Sequence, residues 1–232
     1  QLASIDGIDD LAMTTNAHLL ADLAQPLADA GLTRLNVSLD SLDPAVFAKI
    51  TRLGTLEPVL RGLQAAKDAG IGPIKINAVI LRGVNDGEIC DLLDFAADNG
   101  YVLRFIEYMP IGLDDYWGPN SFVPHAEIRE RLSEKWSVRP ADDRPRLGGG
   151  PAVPMLADRL DGRYVDVPVG FISALSHNFC RSCNRVRLSA IGTLRECLST
   201  GGVLSLRDML RNGDGPADLE RSIRLALAGK VD

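Results

Sequence analysis

A chain of 232 residues, 46% of them hydrophobic, can bury a sizeable core as one large domain or two smaller ones. Its 25 basic and 31 acidic residues leave a net charge of -6, which argues against sequence-independent nucleic-acid binding over the whole surface. No apolar run of about 18 residues occurs, so no transmembrane helix is expected, and residues 1–16 lack the basic start and apolar centre of a signal peptide.

Four cysteines, three of them clustered, suit a reducing, cytoplasmic setting better than a disulfide framework. The chain opens on Gln1 partway through a regular pattern, which reads as a fragment of a longer protein.

Taken in order, residues 1–110 repeat a short apolar strand, a polar strand end and an amphipathic helix closed by Gly. The first strand is expected at 10–15, followed by a helix over 18–30 that stops at Gly31. A strand at 34–40 leads into a helix with Asp43 as N-cap and Pro44 in its first turn, then a second helix over 57–69 ending at Gly70. A strand at 74–81, a helix over 88–98 before Gly100 and a strand at 103–109 complete the series. Strands alternating with helices imply parallel pairing, hence an α/β layer or part of a βα barrel.

Residues 111–150 break this rhythm with a Gly, Pro and Asp rich loop over 113–124, a helix over 124–135 and a linker over 141–150. Residues 151–232 carry strands at 153–158 and 164–172, then the cysteine-rich segment. A hairpin follows, pairing 184–189 with 194–198 and bringing Cys197 back toward the other cysteines, and helices at 204–210 and 217–227 close the chain.

The strands split into two faces. Leu35, Val37 and Leu39 oppose Asn36, Ser38 and Asp40, while Ile74, Ile76, Ala78 and Ile80 oppose Lys75, Asn77 and Val79. Parallel strands buried on both sides by apolar layers read as continuously apolar, so one face is expected to line a polar cavity. Chemistry in such barrels sits at the C-terminal strand ends. Here those ends carry Thr14, Thr15 and Asn16, then Ser38 and Asp40, then Glu107, Tyr108 and Met109.

Thr14 to Asn16, and Asp40 with Ser41, serve equally well as helix caps. Lys75, deeper in its strand, needs a carboxylate such as Glu107 or a ligand, because an unpaired buried ammonium is costly. Met109 and Cys90 read as core residues before anything else.

The cysteines follow C-x2-C-x13-C over Cys180, Cys183 and Cys197, a metal signature. The spacing leaves two readings open. Zinc would take His177 as its fourth ligand; an iron-sulfur cluster on three cysteines would keep one iron open to substrate. Arg181, Arg185, Arg187 and Arg195 crowd the cysteines, and a strand over 184–189 puts Arg185 and Arg187 on one face as an anion grip. The competing functions are a zinc-stabilised binding module with an anion-binding Arg cluster, and a Schiff-base barrel with Lys75 as nucleophile.

The stretches Met13-Thr14-Thr15-Asn16, Leu35-Asn36-Val37-Ser38-Leu39-Asp40-Ser41-Leu42 and Lys75-Ile76-Asn77 carry a family likeness. So do Arg104-Phe105-Ile106-Glu107-Tyr108-Met109-Pro110 and Phe179-Cys180-x2-Cys183-Asn184-Arg185-Val186-Arg187 with Cys197. Together they resemble the MoaA family, the radical S-adenosylmethionine GTP 3′,8-cyclases of molybdenum cofactor biosynthesis.

The resemblance implies an incomplete βα barrel of the radical S-adenosylmethionine type, with a C-terminal α+β extension carrying a second 4Fe-4S cluster on Cys180, Cys183 and Cys197. Its open iron would bind the guanine of GTP. Thr14, Lys75, Arg185, Val186 through its backbone, and Arg187 match positions that hold GTP. Ser38 and Met109 match positions that contact S-adenosylmethionine.

The family's first cluster cleaves S-adenosylmethionine to a radical that takes the 3′ hydrogen of GTP, and C3′ then attacks C8, giving (8S)-3′,8-cyclo-7,8-dihydroguanosine 5′-triphosphate. An electron donor and a homodimer are further implied, with no nucleic-acid or membrane partner. The family's N-terminal C-x3-C-x2-C and its C-terminal Gly-Gly tail have no counterpart in these 232 residues, so the fragment is expected to be inactive alone.

Overall fold

The computed structural model describes residues 1–109, 118–141, 150–177, 179, 183, 185–197 and 204–228. The chain divides into two compact units, residues 1–177 and 178–232.

The first unit begins with a single 3-10 turn at Leu2–Ser4 and then builds the expected series: β1 (Ala12–Thr15), α1 (Leu20–Asp29), β2 (Arg34–Ser38), α2 (Pro44–Thr51), α3 (Leu56–Asp68), β3 (Ile74–Ile80), α4 (Ile89–Asn99) and β4 (Val102–Glu107). Local signals set the boundaries. The Asp43 carboxylate accepts from the Ala45 and Val46 N–H groups at 2.7 and 3.0 Å, with Pro44 opening α2. Gly100 ends α4 at a φ of 72°, a left-handed turn that a residue with a Cβ resists.

Four further elements follow: α5 (His125–Leu132), β5 (Trp136–Pro140), β6 (Val153–Arg159) and β7 (Val167–Ile172). Among the described residues these seven strands form one sheet in the order β1-β2-β3-β4-β7-β6-β5. β1, β2, β3, β4 and β7 run parallel, and β6 and β5 extend the sheet antiparallel. A mixed α/β fold on a parallel sheet results, as the alternation of strands and helices predicts.

β5 is an addition to the predicted elements, which pass from the helix at 124–135 to the linker at 141–150 without a strand. Its signal is the short alternation of buried Trp136, exposed Ser137 and half-buried Val138. Pro140, which has no ladder donor, and Arg139, ion-paired to Asp158 at 3.1 Å, blunt this edge of the sheet.

One face of the sheet makes the core. Leu35, Val37, Ile76, Ala78, Ile80, Leu103, Phe105, Val169 and Phe171 are buried together with Leu20 and Ala24 of α1, Val59 and Leu63 of α3, and Leu92 and Leu93 of α4. Each such Leu, Ile or Phe contributes about 1.5–3 kcal/mol relative to exposure. α1 and α3 approach closely over Gly62, where an added Cβ would lie 2.4 Å from the Ala17 carbonyl oxygen. Cys90 is buried on α4 with its thiol against the Arg131 carbonyl at 3.5 Å, the core role its neighbours suggest, and burial pushes the thiol up.

The second unit holds a three-stranded antiparallel sheet ordered β10-β9-β8, from β8 (Arg187–Leu188), β9 (Thr193–Arg195) and β10 (Leu204–Ser205). Two helices follow, α6 (Leu206–Asn212) and α7 (Pro216–Ala228). β8 is shorter than the strand expected at 184–189, so Arg185 precedes the strand and the shared-face argument for Arg185 and Arg187 does not apply. The helix expected from residue 204 starts two residues later, because Leu204 and Ser205 pair with β9. The loop at 110–117, most of the linker at 142–149, and Cys180 lie outside the described residues.

Candidate functional site

Strand register turns the polar alternation into a two-dimensional pattern. Across the first unit Thr14 stands beside Asn36 and Asn36 beside Lys75; two residues on, Ser38 stands beside Asn77, Asn77 beside Arg104, and Arg104 beside Gly170. Thr14, Ser38 and Lys75, three of the residues singled out from sequence, therefore share one face. Arg104 joins them. Its Nη1 donates to Asn36 Oδ1 at 3.2 Å, and Asn36 Nδ2 donates to the Thr14 hydroxyl at 3.4 Å. At Gly170 an added Cβ would press on the Arg104 Cγ at 3.3 Å, so the glycine leaves room for the arginine stem.

The electrostatics of this face are strongly cationic. Lys75 is fully buried, and burial first, then the neighbouring Arg104 and Arg34 charges, push its ammonium down to about 8, with Asp10 opposing. Arg104 is pushed down to about 10 by burial and by Arg34. Beside them the Asn77 Oδ1 is buried without a hydrogen-bond partner among the described residues. A buried acceptor left open next to clustered cations is a site built for an anionic ligand that also carries donors.

Glu107 is not the partner of Lys75. It alternates with Leu103 and Phe105 onto the core side of β4, where it stands beside Ile80. There it accepts from the backbone N–H of His125 at 2.8 Å and of Leu175 and Ser176 at 3.0 Å each, and from the Ser176 hydroxyl. Burial raises this carboxyl, but the hydrogen bonds outweigh it and hold Glu107 below the usual carboxylate range.

The cap residues separate by role. Thr15 Oγ1 accepts from the Ala17 N–H and Asn16 Oδ1 from the His18 N–H, so these two shape the turn into α1. Thr14 instead stands exposed beside Asn36. Ser41 is buried and donates to Glu88 Oε1 at 2.6 Å. Asp40 accepts from the Val79 N–H at 2.8 Å, which leaves Asp43 as the cap of α2. Met109 is half-buried just beyond β4.

Burial pushes the Asp40 carboxyl up to about 6 against the Val79 hydrogen bond, from 3.8 in the unfolded chain. The folded state thus keeps its proton between those values, and stability falls as pH rises through that window, reaching a cost of about 3 kcal/mol at neutral pH. Asp40→Asn keeps the acceptor for Val79 and removes the charge. Denaturant melts should show the variant more stable by about 2–3 kcal/mol at pH 7 and equal to wild type near pH 4; equal stability at both pH values would refute this.

In the second unit Arg187 stands opposite Arg195 in the β8–β9 hairpin. Cys183, four residues before Arg187, and Cys197, two after Arg195, therefore leave the same end of the ladder, as the expected hairpin requires. Both are half-buried. Arg185 places its guanidinium 5.3 Å from the Phe179 ring centroid, while Val186 and Arg187 are exposed. His177 belongs to the first unit, its ring 6.1 Å from that of His125. Among the described residues no three His, Cys, Asp or Glu side chains are grouped to hold a metal ion; Cys180 is not among them. The chemistry of the donor set, soft thiols from one end of a hairpin with arginines alongside, fits an iron-sulfur cluster.

Comparison with known proteins agrees with this geometry. Residues 1–96 match the Radical SAM superfamily model, and residues 101–232 match the model for Molybdenum Cofactor Synthesis C. A parallel βα sheet followed by a cysteine-bearing unit, with these two matches, defines a radical SAM protein. The relatives narrow the class. Proteins named GTP 3′,8-cyclase from Acidothermus cellulolyticus (42% identity over 97% of this chain and 61% of that protein) and Picosynechococcus (41% over 100% and 69%) are similar nearly throughout, as is one from Paracoccus denitrificans (43% over 97% and 63%). The chain belongs to the GTP 3′,8-cyclase (MoaA) family. It spans about three fifths to two thirds of the length of these relatives. Among the described residues no helix is long and apolar enough to cross a membrane.

Proposed function

We propose that this chain carries the substrate-binding part of a GTP 3′,8-cyclase, a cytoplasmic lyase that converts GTP to (8S)-3′,8-cyclo-7,8-dihydroguanosine 5′-triphosphate in molybdenum cofactor biosynthesis. The observation that carries the reading is the buried Lys75 ammonium beside Arg104 on the polar face of a parallel sheet, with the Asn77 acceptor open next to them.

Lys75 and Arg104 would take the triphosphate, and Thr14 would offer its hydroxyl beside them. Ser38 and Met109, at the strand ends, would contact S-adenosylmethionine. In the second unit Cys180, Cys183 and Cys197 would hold a 4Fe-4S cluster, and Arg185, Arg187 and the Val186 backbone match the family's GTP-holding positions. When bound, the clusters and S-adenosylmethionine supply the radical chemistry that removes the 3′ hydrogen and allows C3′ to join C8. The protein's own contribution is position: cations fix the phosphates, so the ribose meets the strand ends in one orientation. An electron donor and a homodimer complete the proposal.

Anaerobic iron and sulfide analysis with an absorption spectrum, before and after GTP, tests this. About four irons and four sulfides per chain, with a spectrum altered by GTP, are expected. One zinc and no sulfide would instead favour the structural zinc module.

A further inference from the structure

The outermost cation of the polar face, Arg34, holds a carboxylate of its own. Arg34 opens β2 on the same face as Asn36 and Ser38, two residues, or about 6.6 Å, nearer the strand start than the row holding Lys75. Its Nε lies 2.6 and 2.9 Å from the two Asp10 oxygens and its Nη2 2.5 Å from Oδ2, a forked ion pair. The charges of Arg34 and Asp10 both act on Lys75, and that of Arg34 on Arg104, so the pair belongs to the same electrostatic cluster. The Arg34 side chain is 19% exposed and that of Asp10 45%.

A ligand whose reacting end lies at the C-terminal strand ends presents its phosphates first to Arg104 and Lys75 and last to Arg34. Phosphate number then decides whether Arg34 is reached. Resting on the GTP-binding reading above, we propose that Arg34 is a specificity-determining residue that recognises the terminal phosphate of a nucleoside triphosphate, with Asp10 as the internal anion which that phosphate displaces. The half-exposed Asp10 regains water when it is released, so the exchange trades one anion for another on the same guanidinium. Asp10 thereby sets a threshold: an anion too short to reach Arg34 leaves the pair closed.

A purely structural ion pair makes a different forecast, since loss of either partner would then act alike. The test is calorimetric titration of wild type, Arg34→Ala and Asp10→Asn with inorganic tripolyphosphate and with pyrophosphate, each variant first checked by thermal melting. Wild type should bind tripolyphosphate more tightly. Arg34→Ala should lose roughly tenfold or more for tripolyphosphate and stay within about twofold for pyrophosphate. Asp10→Asn should shift the other way and bind tripolyphosphate several-fold more tightly, because its competitor is gone. Equal weakening toward both anions in Arg34→Ala, or shifts of the same sign in the two variants, would overturn the assignment. Wild type that binds neither anion would overturn the reading of the polar face and this inference with it.

Discussion

Replacing Lys75 by Met is expected to make the protein more stable and nearly blind to GTP. The lysine is fully buried, and its ammonium is pushed from 10.5 down to about 8 by burial and by Arg104 and Arg34. Because the folded value lies below the unfolded one, the folded state sheds its proton first as pH rises, and stability increases between about 8 and 10.5. At pH 7 the charge therefore costs about 3 kcal/mol.

Methionine fills a similar volume without the charge, so the melting temperature at pH 7 should rise by roughly 5–10 °C. The gain should vanish near pH 10.5, where wild type has itself lost the proton. Affinity for GTP should fall about a hundredfold, the loss expected for a desolvated charge on phosphate. Melts across that pH range and calorimetry with GTP read both effects. A variant that melts lower than wild type at pH 7, or binds GTP unchanged, would show that Lys75 is held by the fold for its own sake.

That trade explains why part of the site could be read before the fold was known. Lys75 and Asn77 interrupt an apolar strand, and Asn36 and Ser38 do the same one strand earlier, so alternation alone announces a polar face. What alternation cannot supply is register. Arg104 becomes a site residue only because Asn77 stands beside it and Asn36, 68 positions away in sequence, accepts its hydrogen bond.

Glu107 shows the opposite failure. Leu103, Phe105 and Glu107 follow each other at period two, which already puts the carboxylate on the core side, yet its charge suggests the polar cavity. The compensating donors come from 125, 175 and 176, which no local pattern links to it. The strand at Trp136–Pro140 is hidden by its length and by its closing proline, and β8 is shorter than 184–189 because, among the described residues of that stretch, Arg187 and Leu188 are the ones with ladder partners. Asp43 with Pro44 was legible, because a cap is written within four residues.

The second large effect is expected at Glu107. Substitution by Gln preserves size and one acceptor oxygen but turns the other into an NH2 group aimed at N–H donors. With Glu107 only 2% exposed, either the Leu175 and Ser176 N–H groups at Oε2 or the His125 N–H and the Ser176 hydroxyl at Oε1 lose their carboxylate acceptor. Part-buried N–H groups left facing an NH2, together with the lost charge assistance, cost about 2–4 kcal/mol.

The pH dependence has a definite sign. Hydrogen bonds hold the folded carboxyl below its unfolded value of 4.5, so its contribution is complete above that value and is lost as pH falls below it. Wild type should accordingly approach the Gln variant in stability as the medium is acidified. Glu107 also supplies the acceptor for the first turn of α5, which has no side-chain cap of its own, and pins residues 175 and 176 just ahead of the cysteine-bearing segment. Hydrogen exchange should therefore show the amides of His125, Leu175 and Ser176 opening in the variant well before the β3 and β4 core. If those amides stay protected and stability at pH 7 falls by less than about 1 kcal/mol, the carboxylate is not what joins β4, α5 and the turn after β7.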